Sequence, residues 1–223
     1  MVDVYVCSGV QQVSDLHKEM LRAYPGRFLV INVLERQAET LLKAYEQSNP
    51  VVCIQLSNWL KDCIGRSPEA ILGMGLGLQD MRLCVAHEHG YPNWEVATAR
   101  GDLPLDPEFE MAVDAVVHGR IEALGEMVEG NPGLVHRASN YGHEAMLLHY
   151  VAANGVETWR QMVPSNAAAI ARLLIERGAD RNARMRVYGG HHTTLELLLT
   201  SAHPAEAGVT DEVAAVLRGS PLA

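Results

Sequence analysis

Apolar residues recur at three- and four-residue steps along most of this chain, the spacing of one helix face buried against a neighbour. In LERQAETLLKAY, Leu34, Ala38, Leu41, Leu42 and Tyr45 form one such stripe, and SNP at 48–50 ends it, its proline opening the next element. VVCIQLSNWL is apolar enough for a strand or a buried helix; its polar Gln55, Ser57 and Asn58 and its helical surroundings favour a helix. GRSPEAILGMGLG reads as turn, short helix and turn. LQDMRLCVAHEHG, residues 78–90, is an amphipathic helix with Gly90 at its C-cap. YPNWEVATARG follows as a brief helix, and DLPLDPE is a linker that places a boundary near residue 103. Before residue 30, SDLHKEMLRAYPG predicts one helix with irregular flanks.

Beyond the linker the pattern repeats itself. NAAAIARLLIERGADRNAR puts Ile170, Leu173 and Leu174 on one face, offers Ser165 or Asn166 as N-cap, and stops at Gly178. HGRIEALGEMVEGNPGLVHRAS has the same grammar through Gly119, Ile121, Leu124 and Val128. GGHHTTLELLLTSAHP echoes GHEAMLLHYVAANG, Leu195 falling on Leu148 at a spacing of 47. Self-similarity at this period signals stacked helical units, each unable to bury its apolar face alone.

These residues resemble the ankyrin-repeat family. LHYVAANG is similar to the family's first helix through His149, Ala152 and Gly155, and LLIERGADRNA to the end of its second helix through Gly178, Ala179, Asp180, Asn182 and Ala183. HTTLELL carries Thr193 and Leu195 of a further unit, and LGLQDMRLCVAHEHGYPNW resembles the helical lead-in of divergent bacterial members. The copies depart from the pattern: VETWRQMVPSN is inserted between two helices, Met146–Leu147 replaces Thr-Pro, and the last unit, ending in SPLA, reads as truncated or capped. The resemblance implies an all-α fold: a helical N-terminal capping region, residues 1–103, then an α-solenoid of about three degenerate repeats at 104–223 (about 106–139, 140–186 and 187–223). It also implies a structural task for His149, hydrogen-bonding a neighbouring turn, and a non-enzymatic role in binding a partner protein along the concave face. Carried onto this chain, the partner-binding positions are His118, Asn140, Tyr141, His143, Asn154, Arg184, Arg186, Tyr188, His191, His192 and Thr200.

Composition narrows the partner. Among 223 residues the net charge is −9 and only three of 18 basic residues are lysines, so a nucleic acid is not expected. No apolar run has membrane-spanning length and no export signal opens the chain, so the expected location is the cytoplasm, with Cys7, Cys53, Cys63 and Cys84 as reduced thiols. Residues 106–129 hold seven acids and one base, whereas residues 172–186 hold five arginines and two acids. That polarity can steer an acidic partner or align two copies head to tail, and the turn ARMRVYGGHH combines residue types that interfaces favour.

Histidines supply the rival chemistry. His87 and His89 stand about 200° apart on a helix, and His143 and His149 about 120° apart, so neither pair chelates one ion. His143, His191 and His192 on neighbouring turns form a conceivable metal group, and Cys84 with His87 a conceivable nucleophile pair. The three glycines of GMGLGLQD lack dinucleotide-loop spacing. No cofactor is expected. A metal-dependent enzyme or regulator and a self-assembling structural unit are the competing classes. Trp159, in the inserted segment, is expected to be exposed, either as part of a recognition loop or over a neighbouring helix.

Overall fold

A computed structural model describes residues 2–22 and 28–219; Met1, residues 23–27 (AYPGR) and residues 220–223 (SPLA) lie outside the described residues. The fold is mostly helical, with two small two-stranded sheets. In the N-terminal part, α1 (Ser8–Leu16), α2 (Lys18–Leu21), α3 (Val30–Glu46), α4 (Val52–Trp59), α5 (Pro68–Leu72), α6 (Leu78–Glu88) and α7 (Trp94–Arg100) follow one another. Of the stripe read from sequence, Leu34, Ala38, Leu41 and Tyr45 are buried on α3, with Val33 beside them, and Leu42 is half-buried. This face packs on α6, whose Met81, Cys84 and Val85 are buried. VVCIQLSNWL is helical, and it buries polar Gln55 together with Leu56 and Trp59.

Gly90 ends α6 at φ 79°, and a Cβ there would lie 2.4 Å from the backbone nitrogen of His143. Glycine is required twice over, by the left-handed backbone and by a loop from the second half of the chain crossing directly above.

The C-terminal part forms two rows. α8 (Pro107–Val117), a 3-10 helix at Leu147–Ala152 and α11 (Thr194–Thr200) pack side by side, and α9 (Ile121–Gly130), α10 (Ala167–Glu176) and α13 (Thr210–Arg218) lie behind them. A short α12 (Ala202–Glu206) links α11 to α13. Asp106 caps α8 by accepting from the amides of Glu108 and Phe109. Asn166 holds the N-cap position of α10, but its side chain donates instead to the Gly119 carbonyl, tying α10 to the turn after α8.

The sheets fasten the rows. β1 (Val4–Tyr5) pairs antiparallel with β2 (Val163–Pro164), bringing the start of the chain onto the inserted segment. β3 (Arg184–Val187) and β4 (Gly190–Thr193) form a hairpin whose two-residue turn, Tyr188–Gly189, has φ of 53° and 74°. Both positive angles suit a turn that follows the strand twist, and glycine takes the second without strain.

The two parts share one hydrophobic cluster, which runs from Val30 and Val33 through Phe109 and Leu147 to Val213. Backbone bonds from Val30 to Leu103 and from Leu105 to Phe28 stitch α3 to the linker. The inserted segment lies over the N-terminal helices: Trp159 is only 5% exposed and edges onto His17, so the expectation of an exposed tryptophan is corrected. Its flat apolar ring finds cover that no local pattern announces. No helix among the described residues is long and apolar enough to cross a membrane.

Candidate functional site

Two places concentrate polar and aromatic side chains, one sealed and one open. The sealed one lies where α6 ends. Glu88, fully buried, accepts from the Gln37 and Gln55 side-chain amides and from the backbone and hydroxyl of Thr158. Burial pushes its carboxyl above the ordinary range, against the opposing pull of those donors. The two glutamines relay outward: Gln55 Oε1 meets His17 Nε2 at 2.8 Å and Gln37 Oε1 meets His89 Nε2 at 2.7 Å. Desolvation holds His17 down to about 4 and His89 to about 3, so both rings are neutral at physiological pH.

Beside His89 the carboxylate of Glu157 and the ring of His143 converge, each of the three side chains presenting one ligand-type atom within 4.8 Å of the others. Arg160, 2% exposed, donates to Glu110 at 2.6 Å, to Asp114 at 3.1 Å and to Glu157 at 3.3 Å. Burial raises the Glu157 carboxyl, but the Arg160 guanidinium and the His143 ring outweigh it and hold the group at about 2. His89, His143 and Glu157 are all fully buried, so no substrate reaches them in this conformation.

His149 has the structural task expected of it. Its Nδ1 accepts from the Met146 amide at 3.0 Å and its Nε2 donates to the Ala183 carbonyl at 3.1 Å, joining the 3-10 helix to the next turn. The four cysteines are free thiols. Cys84 is fully buried and desolvation pushes its thiol well up, the reverse of nucleophile activation, while both ring nitrogens of His87 face carbonyl oxygens, of Trp59 at 2.8 Å and Pro92 at 3.2 Å. The Cys84–His87 pair is therefore not assembled as a nucleophile and base.

The open place is a cleft of about 710 Å³ between the hairpin and the ends of α4 and α6. Trp59, Tyr91 and Val187 give it an apolar floor, and Lys61, Arg186, His87 and His191 stand around it with no carboxylate among the lining residues. Ile64 and Tyr188, 63% and 58% exposed, rise at its edge. The Tyr188 ring stacks on Trp59 with centroids 5.3 Å apart and planes 7° from parallel. On the far side of this pair a more polar cavity of about 220 Å³ reaches Asn154 and Thr200. There the Tyr188 hydroxyl donates to Asn154 Oδ1, and Asn154 donates to the Leu197 carbonyl and the Thr200 hydroxyl.

Of the eleven positions expected to meet a partner, Arg186, Tyr188 and His191 line this cleft, and Asn154 and Thr200 line the smaller cavity with Tyr188. Arg184, exposed, bonds the His191 carbonyl at 2.8 Å and lies 3.5 Å from Glu196. His192 is half-buried on β4. His118 is exposed at the end of α8, and Asn140 donates to the Pro104 carbonyl at the linker. Tyr141 and His143 are corrections: at 1% and 0% exposure they belong to the interior, because the loop bearing them folds down over Gly90 and Tyr91. Nor do His143, His191 and His192 meet as a metal group; His143 faces His89 and Glu157 instead. Trp59, Lys61 and Ile64 went unread, since their place opposite the hairpin is set by packing across the two halves.

Comparison with protein-family models, with curated proteins and with solved structures gives no match.

Proposed function

We propose that this chain is a non-enzymatic interaction module, built from ankyrin-like repeats on a helical N-terminal cap, that holds an acidic segment of a partner protein in the cleft beneath the hairpin. The observation that carries the reading is the cleft's chemistry: exposed aromatic and aliphatic surface ringed by Lys61, Arg186 and histidines without a lining carboxylate, in a chain of net charge −9. Apolar surface supplies affinity, and cations select acidic residues and steer their approach. The two-row packing of helices, the hairpin between units and the bridging role of His149 support the repeat reading. The partner positions at His118 and Asn140 extend the proposed surface away from the cleft.

The test is fluorescence anisotropy with two labelled peptides, one alternating glutamate and phenylalanine, the other alternating lysine and phenylalanine. The acidic peptide binds wild type, weakens as salt rises, and loses at least tenfold in affinity on Arg186→Glu. Equal binding of both peptides, or no effect of the substitution, removes the proposal.

A further inference from the structure

The sealed cluster carries a specific complement of hydrogen-bonding roles. His89 Nδ1, His143 Nε2 and Glu157 Oε2 are buried and meet no protein partner. Their protonation can be read from the groups behind them. The amide nitrogens of Gln37 and Gln55 are both committed to the Glu88 carboxylate, so Gln37 turns its carbonyl oxygen to His89 Nε2. That nitrogen donates, and the neutral ring keeps a lone pair on Nδ1. His143 Nδ1 accepts from the backbone amide of Ala145 at 3.0 Å. A backbone N–H cannot reverse its role, so the neutral His143 ring carries its proton on Nε2. Glu157 Oε2 offers lone pairs only. One donor and two acceptors are therefore left over in a cluster whose side chains each bring a ligand-type atom within 4.8 Å of the others.

We infer that this cluster binds one water molecule, and not a metal ion. Water accepts from His143 Nε2–H and donates its two protons to His89 Nδ1 and Glu157 Oε2, the three bonds that sites for buried water characteristically provide. A divalent metal needs a lone pair from every ligand, and His143 has none to give at Nε2. An ammonium ion fails at the same atom, where donor would face donor. Spacing agrees: His143 Nε2 and Glu157 Oε2 are 3.9 Å apart, beyond the roughly 3.3 Å between neighbouring ligands of tetrahedral zinc. Partners each about 2.8 Å from a water oxygen span this distance readily. The water joins three segments remote in sequence: the end of α6, the loop over Gly90 and the inserted segment. It thereby holds the N-terminal helices to the repeats. This inference is independent of the cleft.

Two measurements on the unaltered protein test it. Long-range proton–nitrogen correlation of ¹⁵N-labelled protein reads the His143 tautomer directly, and crystals soaked in zinc chloride read the occupant. The expected results are a proton on His143 Nε2 and a single peak at hydrogen-bonding distance from all three atoms, without anomalous signal at the zinc edge. A proton on His143 Nδ1, an anomalous peak inside the cluster, or no peak there overturns the assignment.

Discussion

The sealed cluster and the open cleft use the same residue types, histidine, arginine, tyrosine and tryptophan, to opposite ends. Around Glu88 and Arg160 most polar atoms have protein partners, and side chains up to 70 residues apart in sequence close upon one another. Around Tyr188 the cations stand over apolar surface with open volume between them. Inside, burial keeps His17, His89 and His149 neutral, as fixed donors or acceptors; at the cleft, His191 is exposed. Counting histidines therefore says little about function until burial is known. Saturated polar groups organise a fold; at the cleft the cations are less tightly engaged, Arg186 lying 3.9 Å from Glu144 while both ring nitrogens of His87 face carbonyls.

Breaking the interior should have the largest effect. Arg160→Met leaves Glu110 and Glu157 buried without their cation, and the expected loss is about 3–5 kcal/mol of stability, read as a collapse of the urea midpoint. A melting point equal to wild type would show that the ion group holds nothing together.

Acid comes next. His17, His89 and His149, at about 4, 3 and 4 in the fold, bind protons in the unfolded chain from the ordinary value of 6.5 downward but stay neutral when folded. Stability is full above that value and falls as the pH drops through the window toward 4, by up to about 3 kcal/mol per histidine. Glu157 adds to the loss below 4.5, whereas Glu88, whose carboxyl is raised, opposes it. Denaturation midpoints at pH 7 and pH 5 should differ clearly, and cleft substitutions should leave that difference unchanged.

At the cleft the effects fall on binding. Tyr188→Gly removes the stack on Trp59, worth about 1 kcal/mol, and relieves a side chain held at φ 53°, a strain of similar size. Folding stability should move by less than about 1 kcal/mol while the acidic peptide loses roughly tenfold in affinity, about 1.4 kcal/mol. Equal losses in folding and binding would make Tyr188 a packing residue. The smallest change is expected from Arg184→Glu, whose side chain is exposed and outside the cleft: a stability shift within about 0.5 kcal/mol.

Most helices were legible because their apolar stripes are local; α3, α6, α9 and α10 stand where the periodicity predicts them. The bridging role of His149 was legible through the repeat resemblance, which places the next turn beside it. The interior was not. Glu88 and Thr158 are 70 positions apart, Gln37 and Glu88 51, and nothing in an isolated Glu, Gln or His tells a solvated side chain from a buried one. His143 was placed at the surface by the repeat resemblance and Trp159 by its position in an inserted segment, whereas chain reversal covers both. The hairpin half of the cleft could be read from its arginines and tyrosine, and the Trp59 half depended on how α4 meets the C-terminal part.

The most direct test of the cleft as the working surface is an amide chemical-shift titration of ¹⁵N-labelled protein with the glutamate–phenylalanine peptide. Saturable shifts confined to Lys61, Ile64, Arg186, Tyr188 and His191, with His89, His143 and Thr158 unmoved, are the predicted result. Shifts centred elsewhere, or none at saturating peptide, would contradict the account.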